Sequence, residues 1–394
     1  MIIERTLKKE LQTLMDQYPV VTLTGPRQSG KTMLAKTTFP HKPYVNLEAH
    51  DTRQQIAMDP RGFLEQYPEG AIVDEIQRLP ALLSYIQVRV DERPDEKGLY
   101  VLTGSHQLAL HEAITQSLAG RTALLRLLPF SIQELQQANI ELSLDEYLLY
   151  GFFPRIHKEQ LDPTKAYRNY FQTYIERDVR QLINIKNLSL FQKFMKLCAG
   201  RVGQLINYDS LGNELGLSGH TIREWLSILE ASFIIFRLEP YFENFGKRII
   251  KSSKLFFTDV GIVSYLLDIE TIAQVARDPL RGGLIENLVL LELIKARLNQ
   301  GKDPHFYFYR DSQQKEVDII YKVSHALIPI EVKSSKTVHQ DFFKGLHFFK
   351  KLVGDRCPKG YLIYAGMDES LIQSFQTLNF KKAYQLVSAS VDLP

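Results

Sequence analysis

Gly25-Pro26-Arg27-Gln28-Ser29-Gly30-Lys31-Thr32 is an unbroken G-x-x-x-x-G-K-[ST] string, the P-loop pattern that wraps nucleotide phosphates. Its setting is the one the motif needs. Pro19 to Thr24 reads as a short buried strand, and Met33 to Lys36 as the start of a helix. Glycines keep side chains out of the phosphate's way. Backbone N–H groups and the helix N-terminus supply fixed positive charge. All eight residues are therefore expected to contact nucleotide, with Lys31 reaching the β/γ-phosphates and Thr32 holding Mg²⁺.

Outward from the loop, Leu7, Leu11 and Leu14 fall at helical spacing. Tyr44 to Leu47 reads as a second strand and Ala71-Ile72-Val73-Asp74-Glu75 as a third. An apolar strand ending in two acids is the Walker B pattern: Asp74 is expected on Mg²⁺ and Glu75 as the base that polarises the attacking water. Leu99 to Ser105 is the next strand. Its polar end belongs at the carboxyl edge of a parallel sheet, where ligands bind. Thr103 or Ser105 would there be the sensor for the γ-phosphate or the attacking water. Arg121, after Gly120, is either an arginine finger, in cis or from a neighbouring subunit, or a structural arginine.

The P-loop, Val-Asp-Glu-Ile-Gln (73–77), Leu-Thr-Gly-Ser (102–105), Leu-Ala-Gly-Arg (118–121) and Leu-Pro-Phe-Ser-Ile-Gln-Glu-Leu (128–135) together resemble the bacterial and archaeal AAA+-like P-loop ATPases that carry a C-terminal domain of unknown function. In that family the C-terminal domain is related to PD-(D/E)XK nucleases. The resemblance extends over nearly the full chain. It implies an α/β P-loop ATPase at 1–150, a helical lid with a winged helix at 151–270, and a nuclease-like α/β domain at 271–394.

In the middle part, Asn207-Tyr208-Asp209 offers a cap, Ser210 to Leu215 a short helix, Gly216 to Ser218 a turn and His220 to Ala231 another helix. This is helix-turn-helix spacing. Phe233 to Leu238 and Arg248 to Lys251 would be wing strands. Ser218, His220, Thr221 and Arg223 would face a DNA groove, with Lys247, Arg248, Lys251 and Lys254 on phosphates. The other reading is a structural lid with Trp225, Leu226 and Leu229 in its core.

Farther on, Glu286 opens a helix, Val317 to Tyr321 is a strand holding Asp318, and Ile328 to Lys333 is a strand holding Glu331 and Lys333. Glu331 and Lys333 are two apart, so they share a face. An Asp on one strand and Glu-x-Lys on the next is the PD-(D/E)XK arrangement. Asp318, Glu331 and Glu286 would hold a second Mg²⁺ or Mn²⁺, and Lys333 would activate water or stabilise the transition state. Val317 stands where the pattern has Pro. The same residues also suit a salt-bridge cluster in an inert fold. Lysines and Phe342, Phe343, Phe348 and Phe349 alternate beyond Lys333, either as a nucleic-acid surface or as a helix with a buried aromatic stripe. Gly360 to Ala365 reads as the last core strand.

Composition sets the frame. The chain has 394 residues, 44% hydrophobic and 24% charged, with a net charge of +3. Several domains are expected, and nucleic-acid contact would have to come from local basic patches. Cys198 and Cys357 form neither a disulfide framework nor a metal-ligand spacing. No signal peptide or membrane span is read, which points to the cytoplasm. The expected function is ATP binding and hydrolysis controlling a nuclease-like domain that takes DNA or RNA. The alternative is a nucleotide-dependent switch, or a homo-oligomeric ring remodeller, whose nuclease fold is inert.

Overall fold

Val20–Thr24 (β1) is buried at its first four positions. A strand so covered on both faces belongs in the middle of a parallel sheet. In this computed structural model, which describes residues 3–105, 114, 116–180, 187–243 and 251–389, β1 lies between Tyr100–Gly104 (β4) and Thr122–Arg126 (β5). With Tyr44–Asn46 (β2) and Ala71–Asp74 (β3) they form a five-stranded parallel sheet of order β2-β3-β4-β1-β5. Alternate residues feed two cores. Val20, Ala71, Val73, Tyr100 and Leu102 pack on one face. Val21, Leu23, Ile72, Val101 and Leu125 pack on the other, with Leu11 and Met15 of helix α1 (Lys8–Gln17) and Leu34 and Ala35 of α2 (Lys31–Thr38). Each large aliphatic side chain buried this way contributes about 1.5–3 kcal/mol. The parallel directions bring the ends of β1, β3 and β4 to one edge.

This sheet forms the first of two compact units, Met1–Phe130 with Ala231–Phe233 and Leu298–Lys302. The helical middle and the C-terminal sheet, read as separate parts from sequence, fall together in the second.

In the second unit, α3 (Tyr208–Leu215) and α4 (Gly219–Ala231) follow each other across a short turn. Ile235–Leu238 (β6) pairs antiparallel with Lys254–Phe257 (β7). Of the expected second wing strand at 248–251, residues 248–250 lie outside the described residues. The paired segment is the apolar Lys254-Leu255-Phe256-Phe257, buried throughout. Lys251 is exposed outside a strand, and 244–250, with Lys247 and Arg248, lie outside the described residues.

Helix α5 (Arg281–Leu298) buries Leu284, Ile285, Leu288, Val289, Leu290 and Leu291 at every angle around its axis, as an internal helix must. Beyond it runs a six-stranded sheet of order β12-β13-β11-β10-β9-β8. Phe306–Arg310 (β8), Glu316–Val323 (β9) and Ala326–Lys333 (β10) are antiparallel neighbours. Tyr361–Tyr364 (β11) and Phe375–Asn379 (β13) continue it in parallel, and Leu371–Ile372 (β12) closes the edge. The strand at 361–364 is therefore not the last. Phe375-Gln376-Thr377-Leu378-Asn379 joins the core although its polar residues hide it, because Thr377 and Asn379 are buried with hydrogen-bond partners. In α6 (Lys344–Val353), Leu346 and Phe349 are buried and Lys344 and Lys351 exposed, the arrangement of a packed aromatic stripe. Among the described residues no helix is long and apolar enough to cross a membrane.

Gly25 leaves β1 at φ +144°, and a Cβ there would run into the Leu127 carbonyl oxygen. Gly25→Ala is expected to lower unfolding free energy by about 2 kcal/mol or more, read by denaturant titration.

Candidate functional site

At the edge where β1 ends, Gly30 takes a left-handed conformation (φ +95°) that turns the chain into α2, and Gln28 is also left-handed (φ 63°). The turn buries Lys31. Its ammonium donates to the loop's own carbonyls, Gly25 at 2.9 Å and Pro26 at 2.8 Å. Burial pushes the ammonium down to about 8, against the pull of the Glu75 and Asp74 carboxylates. Arg27 stands 3.8 Å from Glu48. Ser29 is buried, and its carbonyl accepts from Arg5 Nη1 at 2.6 Å. Arg5 Nη2 reaches the Leu128 carbonyl at 2.6 Å, and the guanidinium lies 4.9 Å from the Phe130 ring centroid. Arg5 thus ties the P-loop backbone to the segment after β5. The sequence motifs do not point to Arg5; the available signal is its place between the apolar Ile3 and Leu7, both buried.

The end of β3 supplies the acids. Asp74 accepts from Thr32 Oγ1 at 2.9 and 3.1 Å, from the Tyr44 hydroxyl at 2.8 Å, and from Thr103 Oγ1. Tyr44 was another residue missed, since its run read only as a strand. The register setting Asn46 opposite Asp74 carries Tyr44 alongside. Burial and the Asp74 carboxylate hold the Tyr44 hydroxyl protonated far into alkaline pH.

Glu75 turns out of β3 in the left-handed region (φ 58°, ψ 47°). Its N–H donates to Thr103 Oγ1 at 3.2 Å. Its Oε2 accepts from Ser105 Oγ at 3.1 Å and from Gln77 Nε2. The structure therefore brings Lys31, Thr32, Asp74, Glu75, Thr103 and Ser105 to one edge of one sheet. Arg121 is engaged elsewhere: its Nε and Nη2 hold Asp91 at 2.5 and 2.8 Å.

In the second unit, Asp318 and Glu331 meet on β9 and β10 with Lys333. Lys333 Nζ lies 2.7 Å from Glu331 Oε2 and 3.4 Å from Asp318 Oδ2. Val332 N–H also donates to Asp318, at 2.9 Å. Burial and the neighbouring Asp318 push Glu331 well above the usual carboxylate range. Glu286 pairs with Lys254 at 2.8 Å. Lys254 is buried, so its expected place on a DNA phosphate is corrected: the side chain points inward, to carboxylates. The other groove-facing candidates are engaged locally. Ser218 Oγ caps Thr221 N–H at 3.1 Å, Arg223 lies over the Tyr208 ring at 4.8 Å, and His220 stands 3.8 Å from Glu224.

Residues 17–136 match the family model described as AAA domain. Residues 141–273 and 281–382 match two models described as Domain of unknown function (DUF8612) and Domain of unknown function (DUF4143). Uncharacterized protein Rv2008c of Mycobacterium tuberculosis is 29% identical over 340 residues, 86% of this chain and 75% of that protein. An uncharacterized protein of Haemophilus influenzae is 23% identical over 370 residues, 84% of this chain and 86% of its own. Among solved structures, the Walker-type ATPase PABY2304 of Pyrococcus abyssi aligns at 15% identity with a TM-score of 0.41, over 67% of this chain and 96% of that one. A Thermotoga maritima RuvB aligns at 18% identity with a TM-score of 0.31, over 59% and 88%. The chain carries a P-loop ATPase domain of the AAA type.

Two outcomes are expected. Folding depresses the Lys31 ammonium to about 8, so the free protein has a neutral Lys31 above that pH, whereas phosphates favour the charged form. Just above pH 8, nucleotide binding should take up a proton, seen as a calorimetric enthalpy that changes with buffer ionisation enthalpy; affinity should fall as pH rises further. Tyr44→Phe removes a donor from Asp74 and should alter Mg²⁺-supported nucleotide affinity by about tenfold while leaving metal-free affinity in place.

Proposed function

We propose that the first unit binds ATP with Mg²⁺ and hydrolyses it, and that its nucleotide state acts as a switch. The observation that carries this reading is the hydrogen-bonded path Thr32–Asp74–Thr103–Glu75–Ser105 at one sheet edge, beside Lys31. Backbone N–H groups of 27–32 and the start of α2 would take the phosphates. Lys31 would leave its two carbonyls for β/γ-phosphate oxygens. The Thr32 hydroxyl and the Asp74 carboxylate, already in contact, are the hard oxygen donors that Mg²⁺ requires. When bound there, Mg²⁺ offsets the charge of the β/γ oxygens. Glu75 takes the proton of the attacking water. Ser105 and Gln77 both hold its Oε2, leaving Oε1 for that water. In this reading Ser105 positions the base, and Thr103 couples the base to the metal carboxylate.

For the second unit we infer a nuclease-like PD-(D/E)XK sheet that does not cleave. The Asp318, Glu331 and Lys333 constellation supports the likeness. The buried Lys254 on Glu286 favours the inert form, because it takes a carboxylate that the metal reading needs. The segment from α3 to β7 is read as a winged helix in a packing role: Trp225, Leu226 and Leu229 are buried, and its polar groups are engaged with one another. The bidentate Arg121–Asp91 pair favours a structural arginine over a finger.

ATP turnover by the purified full chain tests the first reading. Lys31→Ala should lose nucleotide binding. Glu75→Gln should bind ATP with kcat lowered about 10²–10⁴-fold; normal turnover by it would remove Glu75 as the base. The same preparation, given plasmid and single-stranded DNA with Mg²⁺ or Mn²⁺, with and without ATP, should leave both intact. Cleavage abolished by Asp318→Ala would establish the nuclease reading instead.

A further inference from the structure

Lys254 is 2% exposed, yet it ends among charges. Its Nζ lies 2.8 Å from Glu286 Oε1 on α5 and 2.6 Å from Glu316 Oε1 on β9, and 5.4 Å from the Phe308 ring centroid. Arg310 Nη1 takes the other Glu316 oxygen at 3.1 Å. Lys333 serves Glu331 and Asp318. Four carboxylates thus face three fixed cations. A divalent ion added to this set would leave it with a net positive charge, buried, which is strongly unfavourable.

The lysine is also fixed in place. Its strand pairs with β6, Leu238 standing opposite Lys254, and Lys254 makes a further bridge to Leu205. Leu255 N–H donates to Gln204 O at 3.0 Å. These pairings set where β7 places the Lys254 side chain. On the other flank, a Cβ at Gly345 of α6 would strike Glu331 Oε1 and the Glu316 carbonyl. Helix backbone thus lies directly against Glu331 and holds its carboxylate where Lys333 reaches it. Among the described residues no three His, Cys, Asp or Glu side chains stand in a metal-holding arrangement.

We infer that Lys254 is the chain's own cation in the place of a divalent metal, so that Glu286, Asp318 and Glu331 form no Mg²⁺ or Mn²⁺ site in this protein. The inference rests on, and deepens, the non-cleaving reading of the second unit. It gives that reading a cause: the ammonium supplies the positive charge that Glu286 and Glu316 face, and in doing so joins β7, α5 and β9.

The test is Mn²⁺ titration of the full chain without nucleotide, by calorimetry and electron paramagnetic resonance, in an Asp74→Asn background that removes the P-loop carboxylate. The expected result is no Mn²⁺ bound. Adding Lys254→Met should create one bound Mn²⁺, lost again with Asp318→Asn. If the Asp74→Asn chain binds Mn²⁺ and Asp318→Asn abolishes it, the inference is overturned. It is equally overturned if Lys254→Met keeps its circular dichroism spectrum and still takes up no Mn²⁺. Should Lys254→Met not fold, the Asp74→Asn chain decides alone: no Asp318-dependent Mn²⁺ signal supports the inference, and such a signal refutes it. DNA cleavage that needs Asp318 while no Mn²⁺ binds would sink the non-cleaving reading and leave the place of Lys254 standing.

Discussion

The Asp74 carboxylate is held by hydroxyls from three segments: Thr32 at the head of α2, Tyr44 on β2 and Thr103 on β4. A carboxylate this buried needs its lost water replaced by donors. These donors are neutral, so they stabilise the charge without cancelling it. The same contacts fix where α2 begins relative to β3, and so where Lys31 and the loop ahead of it lie. Thr103 accepts from the Glu75 N–H as well as donating to Asp74, so the orientation of Glu75 follows from the same anchor.

The cluster in the second unit solves the same problem the other way. There the lost water is replaced by ammonium and guanidinium groups from Lys254, Lys333 and Arg310. Each acid there already has a cation beside it. Two acidic constellations, each bordered by a lysine and each recognisable by motif, thus differ in what surrounds the acid. In the first the lysine bonds carbonyl oxygens of its own loop. In the second it bonds the acids themselves.

Much of this was legible locally. The P-loop, the strand before it and the acidic end of β3 are contiguous strings whose chemistry and geometry sit within a few residues. The AAA-domain match over 17–136 agrees with that reading. What escaped depended on register or on distance along the chain. Tyr44 reaches Asp74 from 30 residues away, Arg5 reaches Leu128 across 123, and Lys254 meets Glu286 across 32. A lysine in a basic stretch looks like a surface charge until the sheet that swallows it is known. The strand at 375–379 was hidden for a related reason: its buried positions include Thr and Asn, whose partners are set only by the fold.

Glu75 sits in the left-handed region, where a side chain with a Cβ carries about 1 kcal/mol of strain. Glycine would relieve it. In a marginally stable protein that is a noticeable fraction of the whole. Under the proposed role of Glu75 as base, folding stability and turnover pull in opposite directions at this one position: in a library sorted for thermal resistance alone, Glu75→Gly would be enriched, and the survivors would be well-folded proteins without that base.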